Sequence, residues 1–204
     1  MQRLAVRLAA AALLLLAAAC APVHVRPTQA LLAAQAARED AFPGHGRWTI
    51  EGRLGVSDGH DGGSGTLTWL QDGASYDFIV RAPVTGRSFR LHGDAGAAVL
   101  EGLDQGPLRG SDPRTLLARA LGWRVPLDQL RFWVRGLRAP GSEAELEFGA
   151  NGLPATLLQD GWNIEYKDWY GTQPPLPRKV FASSGPFRVR LAIRTWKLGV
   201  AAMP

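Results

Sequence analysis

Cysteine is almost missing from this chain: Cys20 is the only one in 204 residues. An intramolecular disulfide is therefore excluded, and so is a cysteine-rich zinc site. Histidine is scarce too, and the four at positions 24, 45, 60 and 92 include no pair spaced to share a helical face around a metal. Lysine is limited to Lys167, Lys179 and Lys197, and the arginines form no dense run. A formal charge of +5 without a basic cluster is weak support for nucleic-acid binding. A serine nucleophile also lacks its setting, because Gly62-Gly63-Ser64-Gly65-Thr66 ends in Thr66 where a nucleophile elbow needs glycine. That segment reads as a hairpin turn. Glu143, Glu145 and Glu147 share one strand face, where like charges serve solubility and discourage edge-to-edge pairing rather than acid-base chemistry.

What the chain does have is apolar and aromatic mass: 46% hydrophobic residues and 7 Trp, with charged residues at 20%. This composition belongs to a folded body, and the length suits one domain. With 24 Gly and 14 Pro, strands joined by turns are favoured over a helical bundle.

The N-terminus has the form of a secretory leader. Arg3 and Arg7 supply the positive region, and the apolar run from Leu8 to Ala19 is short for a bilayer span. Cys20 follows Leu16-Ala17-Ala18-Ala19, which resembles a bacterial lipobox, although Ala17 stands where Leu is usual. Cleavage before Cys20 would remove both leader arginines and lower the formal charge to +3. Cys20 would then carry the diacylglycerol and N-acyl chains of a lipoprotein, an effectively permanent anchor when three chains act together. By resemblance to sorted bacterial lipoproteins, in which Asp after the Cys commonly signals inner-membrane retention, Ala21 implies the outer membrane.

Beyond a Pro-containing tether, residues 28–42 read as a helix capped by Thr28, with Leu31, Leu32, Gln35 and Phe42 as its partial apolar stripe and Pro43-Gly44 as a stop. At Trp48 the period changes to two, with Trp48, Ile50, Leu54 and Val56 on one face. Further strands are expected at Gly65 to Gln71, through Tyr76, Phe78 and Val80, and at Arg87 to His92. The loop Ala82-Pro83-Val84-Thr85-Gly86 between the last two carries an apolar Val84 that strand packing does not require. Asp112-Pro113 opens a helix through Leu116, Leu117 and Leu121 that stops at Gly122, and Pro126 opens a second that stops at Gly136. Strands resume around Ala144 to Phe148 and Trp162 to Tyr166. The last, from Phe187, sets Arg188, Arg190 and Arg194 on a wet face. An inward aromatic and aliphatic face of this kind fits either a packed core or a lined cavity.

Gly52-Arg53-Leu54-Gly55-Val56 after Trp48, the Trp69 strand, the Pro83 loop, Leu121-Gly122-Trp123 with Pro126-Leu127, Arg135-Gly136, Gln159-Asp160-Gly161-Trp162 with Tyr166, Leu176-Pro177, and Leu191 to Trp196 occur in an order that resembles the LolB family of outer-membrane lipoprotein receptors. The resemblance implies a mainly β (α+β) fold, an incomplete antiparallel β-barrel whose helical lid encloses an apolar cavity. Residues 1–19 would be leader, 20–46 anchored tether and helix, 47–197 the half-barrel, and 198–204 a tail. Its function would be to accept acylated lipoproteins from the periplasmic carrier LolA and insert them into outer-membrane phospholipid, as a monomer without catalytic residues, metal or cofactor. Pro83, Val84 and Gly86 match the loop that delivers cargo to the membrane. By position and polarity, Phe78, Val80, Phe89, Leu91, Leu117, Leu121, Trp123 and Trp133 are expected in the cavity or lid. A lipid-anchored structural protein with a solid β core is the alternative. An enzyme acting on lipid or peptidoglycan is a further rival that would need a nucleophile and base.

Overall fold

The computed structural model describes residues 24–42, 46–82, 86 and 88–199. A single sheet dominates, because alternating strands that follow one another through short turns pair with their sequence neighbours. Its eleven antiparallel strands are β1 (Trp48–Ser57), β2 (Gly62–Asp72), β3 (Ser75–Arg81), β4 (Ser88–Gly93), β5 (Ala98–Glu101), β6 (Leu108–Gly110), β7 (Ala144–Phe148), β8 (Pro154–Gln159), β9 (Trp162–Tyr170), β10 (Leu176–Ser184) and β11 (Phe187–Leu198). Their spatial order is β6-β5-β4-β3-β2-β1-β11-β10-β9-β8-β7. The chain therefore starts at the sheet's centre and meanders out to β6. It then crosses to the other edge and meanders back until β11 pairs with β1. The edges β6 and β7 do not pair with each other, so the barrel stays open.

Helix α1 (Gln29–Asp40) precedes the sheet; α2 (Pro113–Leu121) and α3 (Leu127–Trp133) form the crossover between its edges. Local chemistry explains their boundaries. Thr28 Oγ1 accepts from the Leu31 amide at 3.3 Å, and Asp112 Oδ1 accepts from Arg114 N at 2.9 Å with Pro113 in the first turn. Gly122 ends α2 at φ 68°, a left-handed cap that favours glycine.

Several expectations change here. Gly62 to Thr66 is strand rather than turn: the turn is residues 58–61, and Gly62–Gly65 pair with Leu54–Ser57. Strands β5, β6, β8 and β10 were not foreseen. The first two are short, β8 begins on Pro154, and register shifts between Pro177 and Val180 interrupt the period of β10. Leu198 belongs to β11, opposite Trp48, rather than to a tail. The edge at β7 is partly covered by the tether, since Val25 and Phe148 exchange backbone hydrogen bonds of 2.7 and 3.0 Å.

The helix α1 docks through a mixed face: of the expected stripe Gln35 and Phe42 are buried and Leu31 packs on the core while Leu32 is exposed, and Arg38 joins the buried side. Arg38 donates to the carbonyls of Arg135 and Gly136, which follow α3, and Gln35 Nε2 reaches Gly136 O at 3.0 Å. The guanidinium also lies 4.9 Å from the Trp169 ring centroid.

Candidate functional site

The inward faces of the strands converge on one continuous apolar cluster. Trp48, Ile50, Leu54 and Val56 of β1, Leu67 and Trp69 of β2, and Val189, Leu191 and Ile193 of β11 form its centre. Aromatic rings link the strands: Trp48 to Trp69 at 4.9 Å between centroids, then Trp69 to Phe78 at 5.3 Å, both edge to face. Leu116 and Leu117 of α2, with Leu127, Leu130 and Trp133 of α3, press onto this surface from the concave side. They are the lid, and their side chains fill the space beneath it.

Buried amide and hydroxyl groups fix the lid in place. Gln159, at the end of β8, accepts from Trp133 Nε1 at 2.9 Å and from Ala139 N at 2.8 Å, and donates to Ala139 O at 2.7 Å. Tyr166 of β9 donates to Trp133 O at 3.0 Å, and full burial pushes its phenol well above the ordinary tyrosine range. Arg135 is also buried; its Nε donates to Arg131 O at 3.0 Å. Desolvation, then repulsion from Arg131 and Arg38, lowers its pKa to about 10. Burial likewise lowers Arg38 to about 10, against the opposing influence of Tyr166 and Glu39.

The expected cavity residues divide into two groups. Phe78, Val80, Leu91, Leu117 and Trp133 are all buried in the packed cluster. Phe89, Leu121 and Trp123 are only partly buried and line a cleft of about 600 Å³ together with Asp58, Asp61, Gly62, Gly63, Ser64 and Ala82. Phe89 and Trp123 meet edge to face at 6.4 Å. Ala82 stands at the foot of the β3–β4 loop, and the Gly86 amide bonds back to its carbonyl at 3.1 Å. Pro83 and Val84 lie outside the described residues, as does Cys20.

Two more clefts open elsewhere. One of about 1100 Å³ runs from Phe42 and Phe132 to the Gln159–Trp162 turn. Another, of about 340 Å³, includes Trp69, Tyr76 and Phe78 beside Asp112 and Arg131. Gln159 was named in the sequence only as part of a motif, and its structural role was missed. The signal was an amide immediately before Asp160-Gly161, a turn whose two residues have φ 52° and 74°.

An unclosed antiparallel sheet folded around a helical lid is the architecture of LolA-like proteins. A LolA superfamily protein from Nitrosomonas europaea superposes with a TM-score of 0.53, at 12% identity, over 86% of this chain and 94% of its own. A DUF1329 family protein from Desulfovibrio piger gives the same score at 7% identity, over 88% and 96%. Sequence is more specific. Residues 46–196 match the family model described as outer membrane lipoprotein LolB. The chain is 43% identical over 171 residues to the outer-membrane lipoprotein LolB of Xanthomonas campestris, covering 81% of this chain and 78% of the relative. It is 38% identical over 164 residues to that of Pseudomonas fluorescens, covering 79% and 80%. The chain belongs to the LolB family. It is an outer-membrane lipoprotein that serves as a receptor in lipoprotein localisation, not an enzyme.

Proposed function

We propose that this receptor takes acylated lipoproteins from the periplasmic carrier LolA and passes their acyl chains to outer-membrane phospholipid, acting as a monomer held by lipids on Cys20. The observation that carries the reading is the 600 Å³ cleft, where apolar side chains of β4 and the lid end open beside the foot of the β3–β4 loop. An exposed acyl chain of about fifteen carbons costs on the order of 12 kcal/mol in water, so it must travel between apolar surfaces. Phe89, Leu121 and Trp123 offer the first such surface. Displacement of the lid, which carries Leu117 and Trp133, would bare Phe78, Val80 and Leu91 beneath it, exchanging lid side chains for acyl methylenes at little net cost in buried apolar area. No covalent step is needed, and the transfer runs downhill without ATP. Pro83, Val84 and Gly86 form the element that touches the bilayer during delivery.

The test is transfer. An acylated lipoprotein is loaded on purified carrier, the body lacking residues 1–20 is added, and the cargo is followed by pulldown. Among the described residues every strand pairing and the main apolar cluster lie between residues 25 and 198, so this body carries its own core. Acylated cargo should move and its deacylated form should not; Val84→Glu should still accept but fail to deliver. No movement with a folded body and a competent carrier would instead favour the anchored structural protein.

A further inference from the structure

The outer face of the sheet carries cations in a pattern that its fold does not need. Register pairing sets Lys179 opposite Ala192, Ala192 opposite Arg53, Arg53 opposite Thr66, and Thr66 opposite Arg81. Lys179, Arg53 and Arg81 therefore occupy one row across β10, β1 and β3. A cation stands on every second strand, about 10 Å apart at the usual strand spacing. Arg190 and Arg188 of β11 continue the same face toward the end of the sheet where β3 gives way to Ala82. All five are exposed, and apart from the half-buried Phe181 opposite Arg190 the residues between them are small: Ala192, Thr66, Gly55, Ser57, Ser64 and Ser183.

Among the described residues none of these five stands within ion-pair distance of a carboxylate. The carboxylates near this face are already engaged: Asp168, the register partner of Lys179 on β9, binds Arg178 at 3.4 Å. Glu51 binds Lys197 at 3.1 Å and Arg194 at 3.8 Å, and Glu165 binds Lys167. Toward the opposite end of the sheet the arginines are matched: Arg47 with Asp72 and Arg90 with Asp77. Two members of the lattice are also held in place. Arg188 Nη1 donates to the carbonyls of Gly185 and Phe187, and the Arg190 guanidinium lies 5.6 Å from the Phe181 ring centroid.

We propose that Lys179, Arg53, Arg81, Arg190 and Arg188 form a docking surface for the phosphate headgroups of an anionic phospholipid membrane. Like charges on one sheet face oppose folding slightly and contribute nothing to the core. A planar array of phosphates compensates all five at once, and arginine suits phosphate because its fork of donors can bond two oxygens together. The small residues between the cations let a broad surface approach the sheet. Position supports the same partner: the protein is an outer-membrane lipoprotein, and Arg81 adjoins Ala82 at the acyl cleft. Docking would therefore bring the cleft end of the half-barrel against the bilayer. This inference rests on the outer-membrane location and not on where an acyl chain binds.

Vesicle co-sedimentation tests it, using the body lacking residues 1–20. The vesicles are pure phosphatidylethanolamine and phosphatidylcholine, or the same with phosphatidylglycerol. Each cation near such a surface contributes roughly fivefold to partitioning at low salt, about 1 kcal/mol per residue. Replacing Arg53, Arg81 and Lys179 together by Gln should therefore weaken binding to the anionic vesicles by on the order of 100-fold. Replacing the exposed Arg26, Arg114 and Arg119, which lie on the tether and on α2 rather than on this face, should cost far less for the same change in net charge. The unsubstituted body needs no variant for its own arm: it should prefer anionic vesicles and lose that preference in high salt. Equal binding to both vesicle types, unchanged binding by the triple variant, or an equal loss in the control triple would overturn the proposal. So would a triple variant that binds vesicles normally but no longer captures the carrier, which would assign the face to an acidic protein.

Discussion

Replacing Gln159 by Leu should destabilise the receptor more than its single conservative-looking change of volume implies. The side chain is 3% exposed, and its amide satisfies Trp133 Nε1 together with both backbone groups of Ala139. Trp133 and Ala139 are themselves buried, so the variant leaves three polar groups without a partner where water does not reach. Each such group costs about 1–3 kcal/mol. Partial re-pairing around a shared site, and some apolar gain from Leu, bring the sum to about 3–6 kcal/mol, a large fraction of ordinary domain stability. For a protein of this size that corresponds to a fall in melting temperature of roughly 6–20 °C. Far-UV circular dichroism and tryptophan fluorescence against temperature would measure it. A double-mutant cycle with Trp133→Phe adds a check: the hydrogen-bond part of the tryptophan substitution should vanish once Gln159 is gone. A melting temperature within about 2 °C of the unsubstituted protein, or strictly additive single effects, would refute the view that this amide anchors the lid.

Two further expectations concern the sheet and the α1 dock. At Gly52 a Cβ would stand 2.2 Å from Ala192 O and 2.9 Å from Ile193 Cα, both backbone atoms of β11, whereas at Gly55 its nearest neighbour is Arg190 Cβ at 3.9 Å. Gly52→Ala should therefore shift the urea midpoint down by the equivalent of about 1–3 kcal/mol or more while Gly55→Ala stays close to the parent; equal midpoints would count against the close approach of β11 to β1 at Gly52. Burial raises the Glu39 carboxyl, but hydrogen bonds from Arg138 and Gln35 outweigh it and hold its pKa below the ordinary 4.5. Its contribution is thus fully present above that value and is lost as pH falls through the lower folded pKa. Arg138→Gln should melt below the parent at pH 7 and converge on it in acid; a gap that stays constant from neutral to acid pH would contradict this.

Much of the local structure was legible from the residues alone. The alternation of β1, β7, β9 and β11, the Thr28 and Asp112-Pro113 helix starts, and the Gly122 stop each depend on a handful of neighbouring residues, and dihedral preference and capping act over that range. Order and spacing of motifs also sufficed to suggest the family. Tertiary structure decided everything that depends on which strand lies beside which. Strands β5, β6, β8 and β10 are too short or too interrupted to announce themselves, and their partners complete them. The requirement for Gly52 exists only because β11 passes against β1. The burial of Arg38 is possible only because the carbonyls beyond α3 receive its guanidinium. Five candidate cavity residues became packed core and three became the wall of a cleft, a division set by how deeply the lid seats. The cationic lattice joins positions from 53 to 190, which no local pattern connects. Local preferences write the elements, whereas long-range burial and closure of β1 on β11 choose their neighbours, and the receptor's working surfaces are made of those neighbours.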